Sequence, residues 1–119
     1  MMVSFVCRML IATSKIKEKK STFHGYLFEA KDVDSILSEL KSKHAKAAHL
    51  CYALRNGEDS FKNDGEVGHP GRRLLELLKD HDLDNHLLVV VRYFGGVKLG
   101  PGGVGRAFKA AGKACLEQF

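Results

Sequence analysis

The chain has 119 residues, 45% of them hydrophobic and 28% charged, enough for one packed core without disulfide or metal staples and unlike a disordered segment. Three cysteines (Cys7, Cys51, Cys115) lie far apart with no CxxC pair, which speaks against a disulfide framework or a zinc knuckle and fits a reducing, cytoplasmic setting. The formal net charge is +5, and residues 92–119 hold five Lys or Arg against one acid, a distribution suited to phosphate-bearing partners.

The opening "MMVSFVCRMLIATSK" superficially resembles a signal peptide. Its n-region carries no charge and Arg8 interrupts the apolar run, so the alternation over residues 3–11 predicts a strand and no export. "KIKEKKS" (15–21) reads as a charged hairpin connection, and "TFHGYLFEA" (22–30) as a second strand with Gly25 as a candidate bulge. From Asp32, Val33, Ile36, Leu37 and Leu40 fall at i, i+3, i+4, i+7 and predict an amphipathic helix ending near Lys41, Lys43 and His44. "AAHLCYALR" (47–55) alternates as a third strand, followed by a turn-rich loop, "NGEDSFKNDGEVGHPG" (56–71). "RRLLELLK" (72–79) predicts a short helix after Pro70. "HLLVVVRYF" (86–94) has the continuous apolar character of a central strand covered by helices. A last helix over 103–118 gathers Val104, Ala107, Phe108, Ala111, Ala114 and Cys115 on one face. No linker or repeat divides residues 1–119, so the order β-β-α-β-α-β-α predicts a single α+β domain, with no stretch near the roughly 20 apolar residues of a membrane span.

Six of the twelve glycines fall in "RYFGGVKLGPGGVGRAF" (92–108). A Walker A loop fails there, because Pro101 and Gly102 stand where its lysine and hydroxyl belong. Gly100, Gly102 and Gly105 satisfy GxGxxG, but no strand or ribose-binding acid follows. A simpler function needs only converging main-chain N–H groups at an uncapped helix start, ringed by cations. That reading gathers Arg92, Gly95, Gly96, Lys98, Gly100, Gly102, Gly103, Arg106 and Lys109 into an anion or nucleic-acid site. The alternative is a tight strand-to-helix corner whose glycines serve packing alone.

"VVVRYFGGVKLGPGG", with "KKSTF" (19–23), "AAHLCYA" (47–53), "DGE" (64–66) and "RAFKAA" (106–111) in that order, resembles the IMPACT/YigZ family over almost the whole chain. The resemblance implies a two-layer α/β sandwich like domain IV of elongation factor G and a small-subunit ribosomal protein domain. Such a fold has a four-stranded sheet, helices on one face and a left-handed crossover. It also implies a core domain alone, without the partner-binding or small additional domains of longer members. Functionally it implies translation and its regulation: dampening of the amino-acid-starvation kinase pathway through a protein partner in eukaryotic members, nucleic-acid or ribosome binding in bacterial ones. Arg92, Gly95, Gly96, Lys98, Gly100, Gly103 and Arg106 match the family's glycine block, Asp64, Gly65 and Glu66 its acidic motif, and His49 its strand histidine. The loop "DGEVGHPG" departs from the family's DGEPSGTAG, one residue shorter and with proline displaced.

His49 and Cys51 share a strand face but stand about 7 Å apart, too far for direct proton transfer. His49 is expected to hydrogen-bond the 64–66 loop, and Glu66 to pair with an arginine. Tyr93 and Phe94 adjoin the basic segment; alternation turns one inward and leaves the other free to stack on a base. The function expected is a non-enzymatic binding domain for RNA phosphates, without cofactor or metal. Its alternatives are a regulatory protein-interaction module and a hydrolase of phosphorylated substrates acting through Glu66.

Overall fold

The computed structural model describes residues 4–118. Nine elements follow one another: α1 (Phe5–Met9), β1 (Leu10–Glu18), β2 (Ser21–Glu29), α2 (Val33–Lys43), β3 (His49–Arg55), β4 (Asp59–Lys62), α3 (Pro70–Asp80), β5 (His86–Tyr93) and α4 (Gly100–Leu116). The strands form one antiparallel sheet in the order β1-β2-β5-β3-β4. Two crossovers follow. β2 and β3 run parallel on either side of β5 and are joined through α2, while β4 and β5 flank β3 and are joined through α3.

β5 dictates the layering. Leu88 and Val90 point to one face and Leu87, Val89 and Val91 to the other, all fully buried. A strand apolar on both sides needs cover on both. On the first face, Leu74, Leu77 and Leu78 of α3 and Val104, Phe108, Ala111 and Cys115 of α4 pack against Phe23, Leu27 and Val90. On the second, Ile36, Leu37 and Leu40 of α2 pack against Tyr26, Phe28, Leu50 and Val89. The architecture therefore differs in two respects from what the resemblance implied. There are five strands rather than four, and helices lie on both faces rather than one.

Three local readings also change. Residues 5–9, expected as strand, form α1: Ser4 Oγ accepts the Cys7 N–H at 3.1 Å, and Val6 and Met9, three apart, pack on the α2 side. Residue 3 of that expected strand lies outside the described residues. β1 starts only at Leu10 and runs through Glu18, leaving Lys19 and Lys20 as the two-residue turn. β4 occupies part of the segment expected to be loop. Its residues are exposed except Lys62, so this edge strand buries no apolar stripe that a periodicity could reveal.

Gly25 pairs regularly with Ser14 and Val90; the register shift lies instead between Leu10 and Ala12. What Gly25 supplies is room. A Cβ there would lie 2.9 Å from the Ala111 carbonyl oxygen and 3.0 Å from Cys115 Sγ. The Ser14 hydroxyl donates to that same Ala111 carbonyl at 2.7 Å, fastening α4 to the sheet. Among the described residues no helix is long and apolar enough to cross a membrane.

Candidate functional site

At the end of the sheet where β3 begins and β5 ends, the pairing of β3 with β4 stops at Tyr52 and Lys62. The chain then turns through Asp64 (φ 54°) and Gly65 (φ 71°), closed by the Glu66 N–H donating to Asn63 O at 3.0 Å. The turn satisfies groups the ladder has left behind. Asp64 Oδ2 accepts the Leu50 N–H at 2.9 Å, the Asp64 carbonyl takes the His49 Nδ1 proton at 2.8 Å, and Asn63 O accepts the Cys51 thiol at 3.2 Å. Asn63 Oδ1 accepts the Gly71 N–H at 2.8 Å and so caps α3, a role sequence reasoning missed because the acceptor lies outside the helix's own first turn. His49 thus binds the 64–66 loop as expected. Cys51 is fully buried, and burial pushes its thiol far up, which leaves no His49–Cys51 relay.

Glu66 has an arginine partner, and the partner is Arg92. Nη1 donates to Glu66 Oε2 at 3.0 Å, with the side chains only 7% and 5% exposed. The guanidinium carbon lies 5.6 Å from the centre of the Phe23 ring and 5.4 Å from that of the Phe94 ring, and Nη2 reaches Ser21 Oγ at 3.4 Å. His49 Nε2 stands 3.5 Å from the same Glu66 oxygen. Arg92 was placed in the cation ring from sequence; here it is an internal staple tying β5 to the 64–66 loop. Strand alternation is the reason, since it turns Arg92 to the α3/α4 face between Val90 and the core's rim.

The remaining members of the expected site lie at the start of α4. The helix begins at Gly100, three residues before the sequence placed it, and its N-cap Leu99 offers no side-chain acceptor. Gly96 (φ 89°) and Gly100 (φ 72°) adopt the left-handed conformation, and a Cβ on Gly95 would collide with the Lys20 carbonyl. These glycines bring the segment against the β1–β2 turn. There Lys19 (φ 44°) and Lys20 (φ 69°) occupy positions that usually belong to Asn and Gly, at a cost of roughly 1–3 kcal/mol each. Between that turn and α4 runs an open cleft of about 310 Å³, bordered by Glu18, Lys19, Leu99, Gly103 and Arg106. Gly102 and Gly103 lie in the first turn of α4, and the Arg106 guanidinium folds back toward Gly102. Lys98, Arg106 and Lys109 are exposed, and together with Lys19 they meet no carboxylate among the described residues. Lys19 is the cation sequence reasoning left out; only folding brings it beside residues eighty and more positions later. Around this end Phe94 (52% exposed), Val67 and Val97 stand in solvent, while Tyr93 is half-buried on the opposite, α2 face of the sheet.

A second group occupies the α2 side of the sheet. His44, at the end of α2, is hydrogen-bonded by Tyr26 OH at 2.7 Å and Tyr93 OH at 2.6 Å. Burial, then neighbouring His24 and Lys43, hold His44 below the ordinary histidine value; burial, then Lys15 and Lys43, do the same to His24. The folded protein therefore binds fewer protons here than the unfolded chain. Stability from these two groups is complete above about pH 6.5 and is lost as pH falls through that value toward the depressed ones. Thermal melts between pH 7.5 and 5 are expected to show a falling midpoint, with a shallower fall in His24→Ala.

Among the described residues no three metal-ligating side chains gather. The family model of the Impact N-terminal domain matches residues 19–116. An IMPACT family member from Thermus thermophilus is 42% identical over 77 residues, covering 64% of this chain and 43% of its own. A solved structure of a hypothetical protein superposes with TM-score 0.83 at 29% identity, over 92% of this chain and 60% of that one. The two-domain translational regulator Yih1 superposes with TM-score 0.56 at 27% identity, over 92% of this chain and 46% of that one. The chain thus spans about half the length of the proteins it matches. The "DGE" turn carrying Glu66, the glycine block that follows Arg92 and the first turn of α4 all fall inside the matched span, and by that match the chain belongs to the IMPACT family.

Proposed function

We propose that this domain is a non-enzymatic binding module acting in translation or its regulation, and that it holds RNA phosphates in the cleft between the β1–β2 turn and α4. The observation that carries the reading is the pair of cations without a carboxylate partner, Lys19 and Arg106, that border the cleft at a helix start with no side-chain cap, with exposed Lys98 just before that start and exposed Lys109 farther along α4. Helix N-termini favour anions, and exposed cations without internal partners lose little on meeting phosphate. The similarity to a translational regulator supplies the biological setting. A hydrolytic role through Glu66 is disfavoured, because that carboxylate is buried and engaged by Arg92.

Four phosphate contacts on a single strand give a slope of log K against log salt near about −3. Arg106→Glu is expected to weaken an RNA oligomer by about tenfold or more at low salt and to flatten that slope. The melting temperature should stay put, since the Arg106 side chain is exposed. Salt-independent binding, or an unaffected Arg106→Glu, rejects the cleft. The exposed Val67, Phe94 and Val97 favour a second reading, docking of an acidic regulatory protein at the same end of the molecule. In that case Phe94→Ser removes partner retention and RNA binding is negligible from the outset.

A further inference from the structure

On the α2 side of the sheet at the same end, Thr22, His24 and Tyr93 are only partly covered by the described residues; Tyr93 sits at the rim of the α2-side core, and none of the three lines the cleft. β1 presents Lys15 and Lys17, both exposed, directly opposite His24 and Thr22 of β2; Thr22 in turn pairs with Tyr93 of β5. Residues opposite one another across antiparallel strands share a face, so these side chains form two rows across three strands. The His24 ring lies 5.6 Å from Tyr93 at 82° and 5.5 Å from His44 at 34°. His44, held at both ring nitrogens by Tyr26 and Tyr93, fixes the orientation of the tyrosine behind it.

The charge around these rings is all of one sign. Lys15 and Lys43 are the charged groups acting on His24, Lys43 also lies 5.8 Å over the Tyr26 ring, and Lys15, Lys17 and Lys43 pair with no carboxylate among the described residues. His24, kept below its ordinary value, is a neutral ring at pH 7. Half-buried, prealigned rings on an open sheet, bordered by free cations, have the composition of a single-strand stacking surface: bases stack on the rings while ammonium groups meet the backbone.

We propose that this end of the sheet is a base-stacking surface for single-stranded RNA, with His24 and Tyr93 as the platform and Lys15, Lys17 and Lys43 as phosphate contacts. The choice of RNA rests on the function proposed above. The two surfaces are joined by the Lys19–Lys20 turn, over which one strand passes from the cleft to the rings.

The test measures anisotropy of a fluorescein-labelled ten-nucleotide oligouridine and of an abasic oligomer of equal length, each with the full chain. Wild type binds the uridine oligomer more tightly by about 5- to 150-fold per stacked base. His24→Ala and Tyr93→Leu remove that preference, and Tyr93→Phe, which keeps the ring, retains it. Should Tyr93→Leu fail to fold through loss of its contact with His44, the half-exposed His24→Ala decides alone. If both oligomers bind equally, and Arg106→Glu abolishes both while His24→Ala changes neither, the stacking surface is overturned and the cleft stands. If wild type binds neither oligomer, both are overturned. Retention of an oligoglutamate peptide on this face in place of RNA, indifferent to His24→Ala, assigns it to an acidic protein and also overturns the proposal.

Discussion

Glu66→Ala is expected to destabilise the domain by about 3–5 kcal/mol, the cost of leaving a buried charge without its partner. The charge left behind is the Arg92 guanidinium. Its other contacts are weak substitutes: Nη2 has only a neutral hydroxyl at 3.4 Å, and Nε has no acceptor. The near-complete burial of both side chains leaves little room for water to replace the carboxylate. A loss of this size is a large fraction of the roughly 5–15 kcal/mol that holds a typical domain together. Glu66→Gln keeps an acceptor and should cost less. The double change Arg92→Met with Glu66→Leu should cost least, since an apolar pair of similar volume replaces a desolvated ion pair. Urea titration reads all three through the midpoint, provided the slope is unchanged. A Glu66→Ala protein as stable as wild type would mean that the guanidinium reaches solvent, which would return Arg92 to the exposed cations.

Phe108→Ala is expected to cost about 3–5 kcal/mol as well, for a different reason. Phe108 is fully buried at the centre of the α3/α4 face, edge-on to Phe23 with centroids 5.2 Å apart at 79°. The cost of such a cavity depends on how far its walls relax. Here the helix cannot settle inward, because its backbone already touches the sheet: Ala111 O is bound by Ser14, and Gly25 leaves no slack beneath it. The cavity should therefore persist, placing the cost at the upper end of that range. Phe108→Leu, which fills most of the space, should lose about 1.5 kcal/mol or less. Equal midpoints for the alanine and leucine variants would show that α4 is free to shift.

The elements that a periodicity revealed are those with one well-buried stripe. Ile36, Leu37 and Leu40 marked α2, Leu74, Leu77 and Leu78 marked α3, and the run from Leu87 to Val91 marked the central strand. α1 and β4 escaped because neither has such a stripe: α1 is five residues long, and β4 is an exposed edge. At the candidate site, the binding of His49 to the 64–66 loop and an arginine partner for Glu66 were both legible. That the arginine would be Arg92 was not, because "RYFGG" places it beside glycines and away from acids, and Glu66 approaches it only across the folded sheet. Lys19 was hidden for the same reason. The Tyr26–His44–Tyr93 group joins three elements whose histidine and tyrosines carry no local pattern.

The strand order has a consequence for the chain during synthesis. β5, which supplies the hydrogen-bond partner of both β2 and β3, is the last of these five strands in chain order. Until residues 86–93 emerge, the two hairpins built from earlier segments have no strand between them. Each then has a second unpaired edge, on β2 or β3, besides the outer one it keeps in the finished sheet, and α2 and α3 have only part of their sheet to rest on. Closure of this sheet thus waits for the insertion of β5, a topology dominated by distant contacts that folds slowly relative to its length. A nascent chain stalled before His86 would carry open strand edges, the form of partly folded protein most prone to joining its neighbours.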